Sequence, residues 1–454
     1  MGSGADIDMA DRPLAVVVLA AGKGTRMRSD LPKVLHKIAG RPMVGHVIAV
    51  AEGLGADPII VVIAPGMDDV AKAVAPHVTA VQSEQRGTGD AVKAARPQLS
   101  GFDGDVLILV GDGPMIDTRT LADMRRAHND AAVTVLAIRV PGDSAYGRLI
   151  VGADGMLERI VEAKDATAEQ RKVDLCSSGF FLVDSRHLFD LLDKVGTENA
   201  QGEYYLPDIV GVARQAGLVC RAFEARLDEP LGVNSRSELA QAEASIQTRL
   251  RKRAMDNGAT LIDPQTVWLS FDTKLGRDVT IGPNVFFGPG VTVGDHVEIR
   301  SFCHIEQAEI ADGAIIGPFA RLRPGASIGE GAHIGNFVEI KNARIDWGAK
   351  ANHLAYVGDA DVGAKANIGA GVITCNYDGV NKHRTTIGAG AFVGSDATLV
   401  APVTIGAGAF VAAGSTITQD VPDDALAVAR GRQMVKLGWA GRFFHKSRDG
   451  KGKD

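Results

Sequence analysis

From residue 275 onward an aliphatic or aromatic side chain returns every six positions: Leu275, Ile281, Phe287, Val293, Ile299 and Ile305. After a one-residue slip the series resumes at Ile310, Ile316, Leu322, Ile328, Ile334 and Ile340, and it slips again at Ile345. Val362 and Ile368 follow, then Ile387, Val393, Leu399, Ile405, Val411 and Ile417. An amphipathic helix repeats near 3.6 and a half-buried strand at 2, so neither produces this pattern. A fixed six-residue period is the hexapeptide signature of a parallel β-helix. Three sextets close one triangular coil of about eighteen residues, and coils stack about 4.8 Å apart as parallel strands. Glycine often stands directly after the inward residue, as at Gly276, Gly282, Gly288, Gly294, Gly388 and Gly394. There it is expected to permit the tight corner. This accounts for much of a glycine excess of 54 in 454 residues, 23 of them between positions 275 and 420. The glycines lack an every-third-residue period, which excludes collagen. Only 18 prolines with 45% hydrophobic residues exclude bulk disorder.

The period breaks between Ile368 and Ile387. The intervening stretch, Gly369–Thr386, carries Thr374-Cys375-Asn376-Tyr377-Asp378-Gly379 and is predicted to leave the solenoid as a loop on its binding face.

The first half has a different grammar. Leu14–Ala20, Pro58–Ala64, Asp105–Val110, Val133–Val140 and Gly179–Val183 are near-continuous apolar runs, which read as strands buried on both faces. Amphipathic segments such as Pro42–Leu54 and Asp69–Ala75 lie between them, so a mainly parallel sheet flanked by helices is expected. Ser235–Asn257 reads as one connecting helix with Leu239, Ala242, Ile246 and Leu250 on one stripe. The expected organisation is therefore a leader over 1–12, an α/β Rossmann-like domain over 13–236, a linker helix over 237–259, a β-helix over 260–430 and a basic tail over 431–454. Gly2 lacks the myristoylation pattern because Asp6 stands where Ser or Thr is needed.

A net charge of −6 argues against a nucleic-acid partner, and the lack of any run of about 18 apolar residues argues against membrane insertion. The four cysteines, Cys176, Cys220, Cys303 and Cys375, form no C-x-x-C pair, which suits a reduced cytoplasm. The histidines His296, His304, His333, His353 and His383 offer no closely spaced pair for zinc. The tail's cations, Arg432, Lys436, Arg442, Lys446, Arg448, Lys451 and Lys453, read as a solvated, mobile run.

Chemistry concentrates after the first strand, in Leu19-Ala20-Ala21-Gly22-Lys23-Gly24-Thr25-Arg26-Met27, followed by Leu31-Pro32-Lys33. Bare backbone beside basic side chains, on a strand-to-helix turn, suits an anion. The phosphate-loop pattern G-x-x-x-x-G-K-[ST] is absent, and Met27 stands where the dinucleotide fingerprint needs a small residue.

The L-A-A-G-x-G-T-R-M motif resembles the sugar-nucleotide pyrophosphorylases. With the hexapeptide half, the chain from about Leu14 to Arg430 resembles the bacterial bifunctional N-acetylglucosamine-1-phosphate uridyltransferase/glucosamine-1-phosphate acetyltransferase family. That resemblance implies a left-handed β-helix and a homotrimer assembled through it. It implies that Leu19, Ala20, Ala21 and Gly22 hold the nucleotide, with Arg26 and Lys33 as catalytic cations neutralising the triphosphate. Gln82, Gly87 and Thr88, in Q-S-E-Q-R-G-T-G, would read uracil. Val110 and Gly111 would line the same site, while Asp112 and Asn234 would bind Mg²⁺, an ion suited by hard oxygen ligands. Gly147, Glu162 and Ser177 would meet the sugar. In the second half, Arg323, Lys341, Tyr356 and Asn367 would grip glucosamine 1-phosphate. Ala370, Asn376, Tyr377, Ser395, Ala413 and Arg430 would contact acetyl-CoA, and Lys382 would meet a coenzyme A phosphate. His353, between the cations and the loop in sequence, would be the general base, a task suited to an imidazole.

Four positions depart from the family pattern. Gly113 stands where valine is usual, Asp90 where histidine is usual, Ser177 in place of asparagine and Pro207 in place of threonine. Three readings stay open on the residues alone. They are two activities in one chain, a nucleotidyltransferase with a scaffolding β-helix, or an acetyltransferase whose first half is impaired or altered in specificity.

Overall fold

The computed structural model describes residues 12–142, 144–225 and 232–449. Residues 1–11 of the expected leader, the Gly2–Asp6 pattern among them, and Lys451 and Lys453 lie outside the described residues, as do the side chains of Lys446 and Arg448; Arg12 is described and pairs with Asp105 at 3.0 Å and Asp184 at 3.2 Å. The chain divides into two compact units, Met1–Leu250 and Arg251–Asp454.

The first unit is built on one twisted sheet. Its strands are β1 (Leu14–Leu19), β2 (Ile59–Ile63), β3 (Val78–Val81), β4 (Asp105–Val110), β5 (Val133–Arg139), β6 (Arg148–Val151), β7 (Leu157–Val161), β8 (Leu175–Asp184) and β9 (Cys220–Glu224). The main path runs β9-β5-β8-β4-β1-β2-β3. Pairs β4–β1, β1–β2, β2–β3 and β9–β5 are parallel. The expectation of parallel strands fails at β8, which runs antiparallel to both β4 and β5. It is also ten residues long where the apolar run suggested five. The missed half, Leu175–Ser178, is polar in sequence but pairs with Ile138 and Arg148, so pairing overrides composition there. Helices α1 (Met43–Gly53), α2 (Asp68–Val74), α3 (Thr88–Ala94), α4 (Thr118–His128), α5 (Ser185–Leu192) and α6 (Ile209–Gln215) complete the unit. Beginning at Arg236 and ending at Asp256, α7 crosses the boundary between units. Its first part is no free linker: Ala242, Ile246 and Leu250 are buried, Glu243 accepts from Ala39 N at 2.8 Å, and Arg249 donates to Met115 O at 2.9 Å.

The second unit is a parallel β-helix with three sheets of ten, eight and eight strands. Most coils take seventeen or eighteen residues, as where Thr280 pairs with Glu298 and Glu298 with Ile315. The inward series is more continuous than the aliphatic pattern showed, because Ala351, Val357 and Thr374 also hold inward places. Thr374 is tolerated there because its hydroxyl donates to Gly358 O at 3.0 Å and accepts from Gly358 N at 2.8 Å. The insertion is therefore shorter than Gly369–Thr386. Coil geometry continues through Ile373–Cys375, and the extra residues lie between Cys375 and Thr385. Past the β-helix, Trp439–Asp449 forms α8, with the rings of Trp439 and Phe443 stacked at 5.0 Å and exposed. The i,i+4 aromatic pair supports a helix where charge alone suggested a mobile run.

The glycines after the inward residues serve a purpose other than the expected one. The left-handed corner falls about three residues after each inward side chain, and Asp278, Asn284, His296, Phe302, Phe319, Phe337 and Lys365 all adopt it. Gly388 instead lies where a Cβ would stand 2.4 Å from Ala407 N on the next coil. Close stacking of coil on coil, rather than turning, demands the glycine. We predict that Gly388→Ala destabilises the protein by about 1–3 kcal/mol through overpacking. Gly390→Asn, at a positive φ with open space around it, should cost under about 1 kcal/mol. Denaturant unfolding of both variants checks this, and equal losses would restore the turn explanation.

Candidate functional sites

The first site lies at the carboxyl ends of β1 and β4, where open α/β sheets place ligands. Leu19 ends β1, and Ala20, Ala21 and Gly22 continue it into a cleft of about 410 Å³. Lys33, Gln82, Gly87, Thr88, Val110 and Asp112 line the same cleft. Gly24 sits at φ +60 with Lys33 Cβ 2.6 Å from where its own Cβ would be, so the loop folds tightly over Lys33. Gly22 has nothing within 4 Å of a built Cβ and leaves its backbone open. Gly111 lies against Leu19, its N–H donating to Leu19 O at 2.9 Å.

Charge converges at one edge of the cleft. Lys33 Nζ bonds Asp112 Oδ2 and donates to Asn234 Oδ1 at 3.1 Å, while Arg26 Nη2 donates to the same Asn234 oxygen at 2.8 Å. Residues more than 200 positions apart thus meet around one ammonium group. Glu238, in the first turn of α7, fixes the Asn234 loop by accepting from Asn234 N at 2.6 Å. The same loop is tied to β4 where Val233 N donates to Asp112 O at 2.9 Å. Glu238 escaped the sequence reading because it looks like an ordinary helix-start carboxylate.

A second cavity of about 200 Å³ holds Gly147, Glu162, Ser177 and Pro207, and it shares Leu19, Thr88 and Val110 with the first. Gly147 lets Glu162 come close: a Cβ there would lie 3.1 Å from Glu162 Oε1, a tight contact. Burial, then the carboxylates of Asp208 and Asp165, push the Glu162 pKa up. Arg148, fully buried, donates to Ser144 O at 3.1 Å and to Tyr146 O, and so shapes this rim. The Ser177 hydroxyl accepts from Gly179 N at 3.3 Å, which leaves its own hydrogen to donate. The Gly113 departure has a packing cause: a Cβ there would lie 2.6 Å from the Phe180 ring, which fills the space a valine would need.

The second site is read from the β-helix register. Asn336 pairs with His353, and Asp396 N and Gly414 N donate to Ala370 O and Ser395 O. His353, Ala370, Ser395 and Ala413 therefore stand in one vertical column at one corner, on successive coils. Arg430 Nη1 donates to Ala413 O at 2.7 Å at the column's end. His353 Nδ1 and Asn336 Oδ1 are 2.7 Å apart. The carboxamide oxygen can only accept, so Nδ1 carries the hydrogen and Nε2 keeps a lone pair.

Arg323, Lys341 and Tyr356 belong to the adjoining face, where Glu339 pairs with Tyr356 and Lys341 with Gly358. Arg323 is held by Glu339 at 2.8 Å. Asn367 projects from the preceding face, paired with Lys350 and Phe392. His353 does not lie between the cations and the loop, as sequence order suggested. Each sextet turns the chain to a new face, so His353 marks one edge of the cationic face and the loop marks the other.

Lys382 at that loop does not stand apart from Lys341. Its ammonium neighbours that of Lys341 and lowers the Lys341 pKa, with burial adding to the effect. Asp359, buried at the loop's base, accepts from Asn342 Nδ2 at 2.5 Å and from Asn376 Nδ2. The Asn376 amide is thus turned inward, whereas Tyr377 is exposed, its hydroxyl donating to Gly379 O at 2.6 Å. Asp378 folds the loop tip by accepting from Asn381 N at 2.6 Å and Val380 N at 2.8 Å, and it pairs with His383 at 2.7 Å. These bonds hold its carboxyl down to about 2.

Comparison with known proteins matches residues 16–200 to the MobA-like NTP transferase domain. Residues 272–307, 308–342 and 384–419 match the bacterial transferase hexapeptide repeats. The chain is 58% identical to the bifunctional protein GlmU of Paramagnetospirillum magneticum over 96% of its own length and 97% of that protein. It is 60% identical to the Rhodospirillum rubrum GlmU over 94% and 97%. With the Paracoccus denitrificans GlmU it shares 52% identity over 98% of this chain and all of that protein.

Proposed function

The chain belongs to the bifunctional GlmU family, with a nucleotidyltransferase unit and a left-handed hexapeptide β-helix, and from that premise we propose how its two sites divide the work. The family's two activities are acetyl transfer to glucosamine 1-phosphate and uridyl transfer from UTP to the acetylated product. The observation that carries the assignment of residues is the register that stacks His353 beneath Ala370, Ser395 and Ala413, with Arg323, Lys341 and Lys382 on the adjoining face.

Acetyl-CoA lies along the corner column, against Ala370, Ser395 and Ala413, with Tyr377 and Arg430 at its margins. Glucosamine 1-phosphate sits on the cationic face. Arg323 offers its planar fork, and the paired ammonium groups of Lys341 and Lys382 find in a phosphate the negative charge that relieves their repulsion. Tyr356 and Asn367 orient the sugar. The amine attacks the thioester carbonyl, His353 Nε2 takes the amine proton, and the coenzyme A sulfur leaves. The exposed corner stack of Phe302, Phe319 and Phe337, with ring centroids 4.8 and 5.0 Å apart, continues to Leu354 at the edge of this face. Copies of the chain associating as a homotrimer through the β-helix would cover it.

In the first unit, Leu19–Gly22 cradle the UTP phosphates while Gln82, Gly87 and Thr88 meet uracil. Glu162, Gly147 and Ser177 hold N-acetylglucosamine 1-phosphate, whose phosphate oxygen attacks the α-phosphorus in line as pyrophosphate leaves. Arg26 and Lys33 neutralise the charge that builds there. Asp112 and Asn234 fit Mg²⁺: their hard oxygens already face one cation, the Lys33 ammonium. An ion held by these two residues would supply positive charge to screen the phosphates. The product is UDP-N-acetylglucosamine, a precursor of the bacterial cell envelope, made in the cytoplasm. No described helix is long and apolar enough to cross a membrane.

A coupled assay with each substrate omitted in turn tests the division. Chelation of Mg²⁺ should stop only uridyl transfer, and metal dependence of acetylation would refute the scheme. His353→Ala should lose roughly 10²–10⁴-fold in acetyl transfer with uridyl transfer intact. Asn336→Ala should lose about tenfold, because only the tautomer's partner is gone. Near-normal acetylation by the His353 variant would remove it from the role. The raised Glu162 pKa gives a pH test. A protonated carboxyl has one acceptor fewer for sugar hydroxyls, so KM for N-acetylglucosamine 1-phosphate should fall as pH rises through that pKa. Glu162→Gln should flatten this limb, and an unchanged profile would show that Glu162 does not meet the sugar.

A further inference from the structure

The geometry points to Asp90 as a positioning residue that fixes which end of the Gln82 amide meets the base, and so selects uracil over cytosine. The inference rests on the reading of Gln82 as a base-contacting residue and deepens it.

Gln82 follows β3 directly, is buried, and lines the 410 Å³ cleft. Its Nε2 donates to Gly87 O at 3.0 Å and to Asp90 Oδ2 at 2.8 Å. Both partners are oxygens that only accept, one a peptide carbonyl and the other a carboxylate. The two amide hydrogens are therefore spent, and Oε1 is the end left for the cleft. Flipping the amide would forfeit both bonds and set its oxygen against two others, a costly arrangement for a buried group.

The acceptors are themselves fixed. Gly87 stands at φ +113, where a Cβ would lie 2.5 Å from Tyr204 O. The backbone on either side is tied to the same residue, with Tyr204 N donating to Arg86 O and Gly89 N donating to Tyr204 O, each at 2.8 Å. Asp90 lies in α3, two residues beyond Thr88. A histidine in its place could show either a hydrogen or a lone pair according to tautomer, whereas a carboxylate holds Gln82 in one orientation.

An amide oxygen facing the base accepts a hydrogen bond. Uracil offers one at N3–H, but cytosine carries a bare lone pair at N3. The carbonyl would then face another acceptor, so the pyrimidine that lacks the N3 hydrogen is rejected without any steric clash.

The experiment is steady-state uridyl transfer by the full chain with UTP and CTP, with acetyl transfer as internal control. Asp90→Ala should narrow the UTP:CTP ratio of kcat/KM by about 10- to 100-fold, chiefly through KM. Asp90→Asn, whose Oδ1 can still accept, should keep the ratio within about threefold of native. Gln82→Ala should narrow the ratio as Asp90→Ala does. A ratio kept by Asp90→Ala but lost by Gln82→Ala overturns the positioning role and leaves the base contact standing. A ratio kept by both overturns the base contact itself. Should Asp90→Ala fail to fold, Asp90→Leu, close in size but without an acceptor, takes its place with the same expected narrowing, and a native ratio in that variant beside a lost one in Gln82→Ala overturns the positioning role.

Discussion

Everything in the second unit depends on how closely one coil approaches the next. Rings on successive coils stack at 4.8 Å, as Phe392 does on Phe410. At that spacing the backbone after each inward side chain nearly touches the backbone above. The sequence answers with glycine at Gly369, Gly388 and Gly394, where any Cβ would meet the next coil's amide at 2.6 Å or less. The corners are freer, and asparagine, histidine, phenylalanine and lysine all take the left-handed conformation there. Because the rise per coil is constant, a residue type repeated at one corner becomes a straight track. His353, Ala370, Ser395 and Ala413 form such a track, small residues above a histidine, which is a shape suited to an extended ligand with its reactive end at the base.

The first unit solves a different problem. Its cleft collects loops from the ends of several strands, and their mutual support comes from backbone bonds rather than repetition. The Gln82–Thr88 loop is buttressed by Tyr204, whose backbone bonds Arg86 and Gly89, and Leu206 N donates to the Thr88 hydroxyl at 2.9 Å. Leu206 and Pro207 then line the neighbouring cavity. One short segment thus joins the Gln82–Thr88 loop to the second cavity, and the antiparallel β8 carries Ser177 into the same place.

The β-helix was legible because its period is a direct imprint of geometry on sequence. Even its gaps were soluble in principle, since Ala351 and Thr374 keep the six-residue beat with side chains that are small or internally bonded. The pyrophosphorylase loop was legible because bare backbone and cations recur in a compact motif. What remained hidden was three-dimensional bookkeeping. The polar half of β8, the inward turn of the Asn376 amide and the meeting of Lys341 with Lys382 all depend on partners far away in sequence. Asn336, Asp359 and Glu238 carry no motif of their own, and their roles appear only through the groups they hold.

Both sites place fixed charges together ahead of their ligands. Lys341 and Lys382 repel one another, and the Lys341 pKa falls as a result. Lys33 is drawn between Asp112 and Asn234 instead of lying free in the cleft. Arg26, on the same Asn234 oxygen, is likewise committed. A folded chain pays for such crowding only if something else gains from it. A phosphate dianion between two ammonium groups removes their repulsion. A divalent ion taking up the Asp112 and Asn234 oxygens would release Lys33 and Arg26 toward a triphosphate. Binding relieves repulsion already present at Lys341 and Lys382, whereas in the first unit it exchanges one set of opposite-charge contacts for another. The cationic face of the β-helix lacks one thing the first unit's cleft has, residues lining it from several loops. A flat face can strengthen those charge contacts only when another surface closes over it, and the exposed corner stack of Phe302, Phe319 and Phe337 along its edge is apolar area of the kind such a closure would bury.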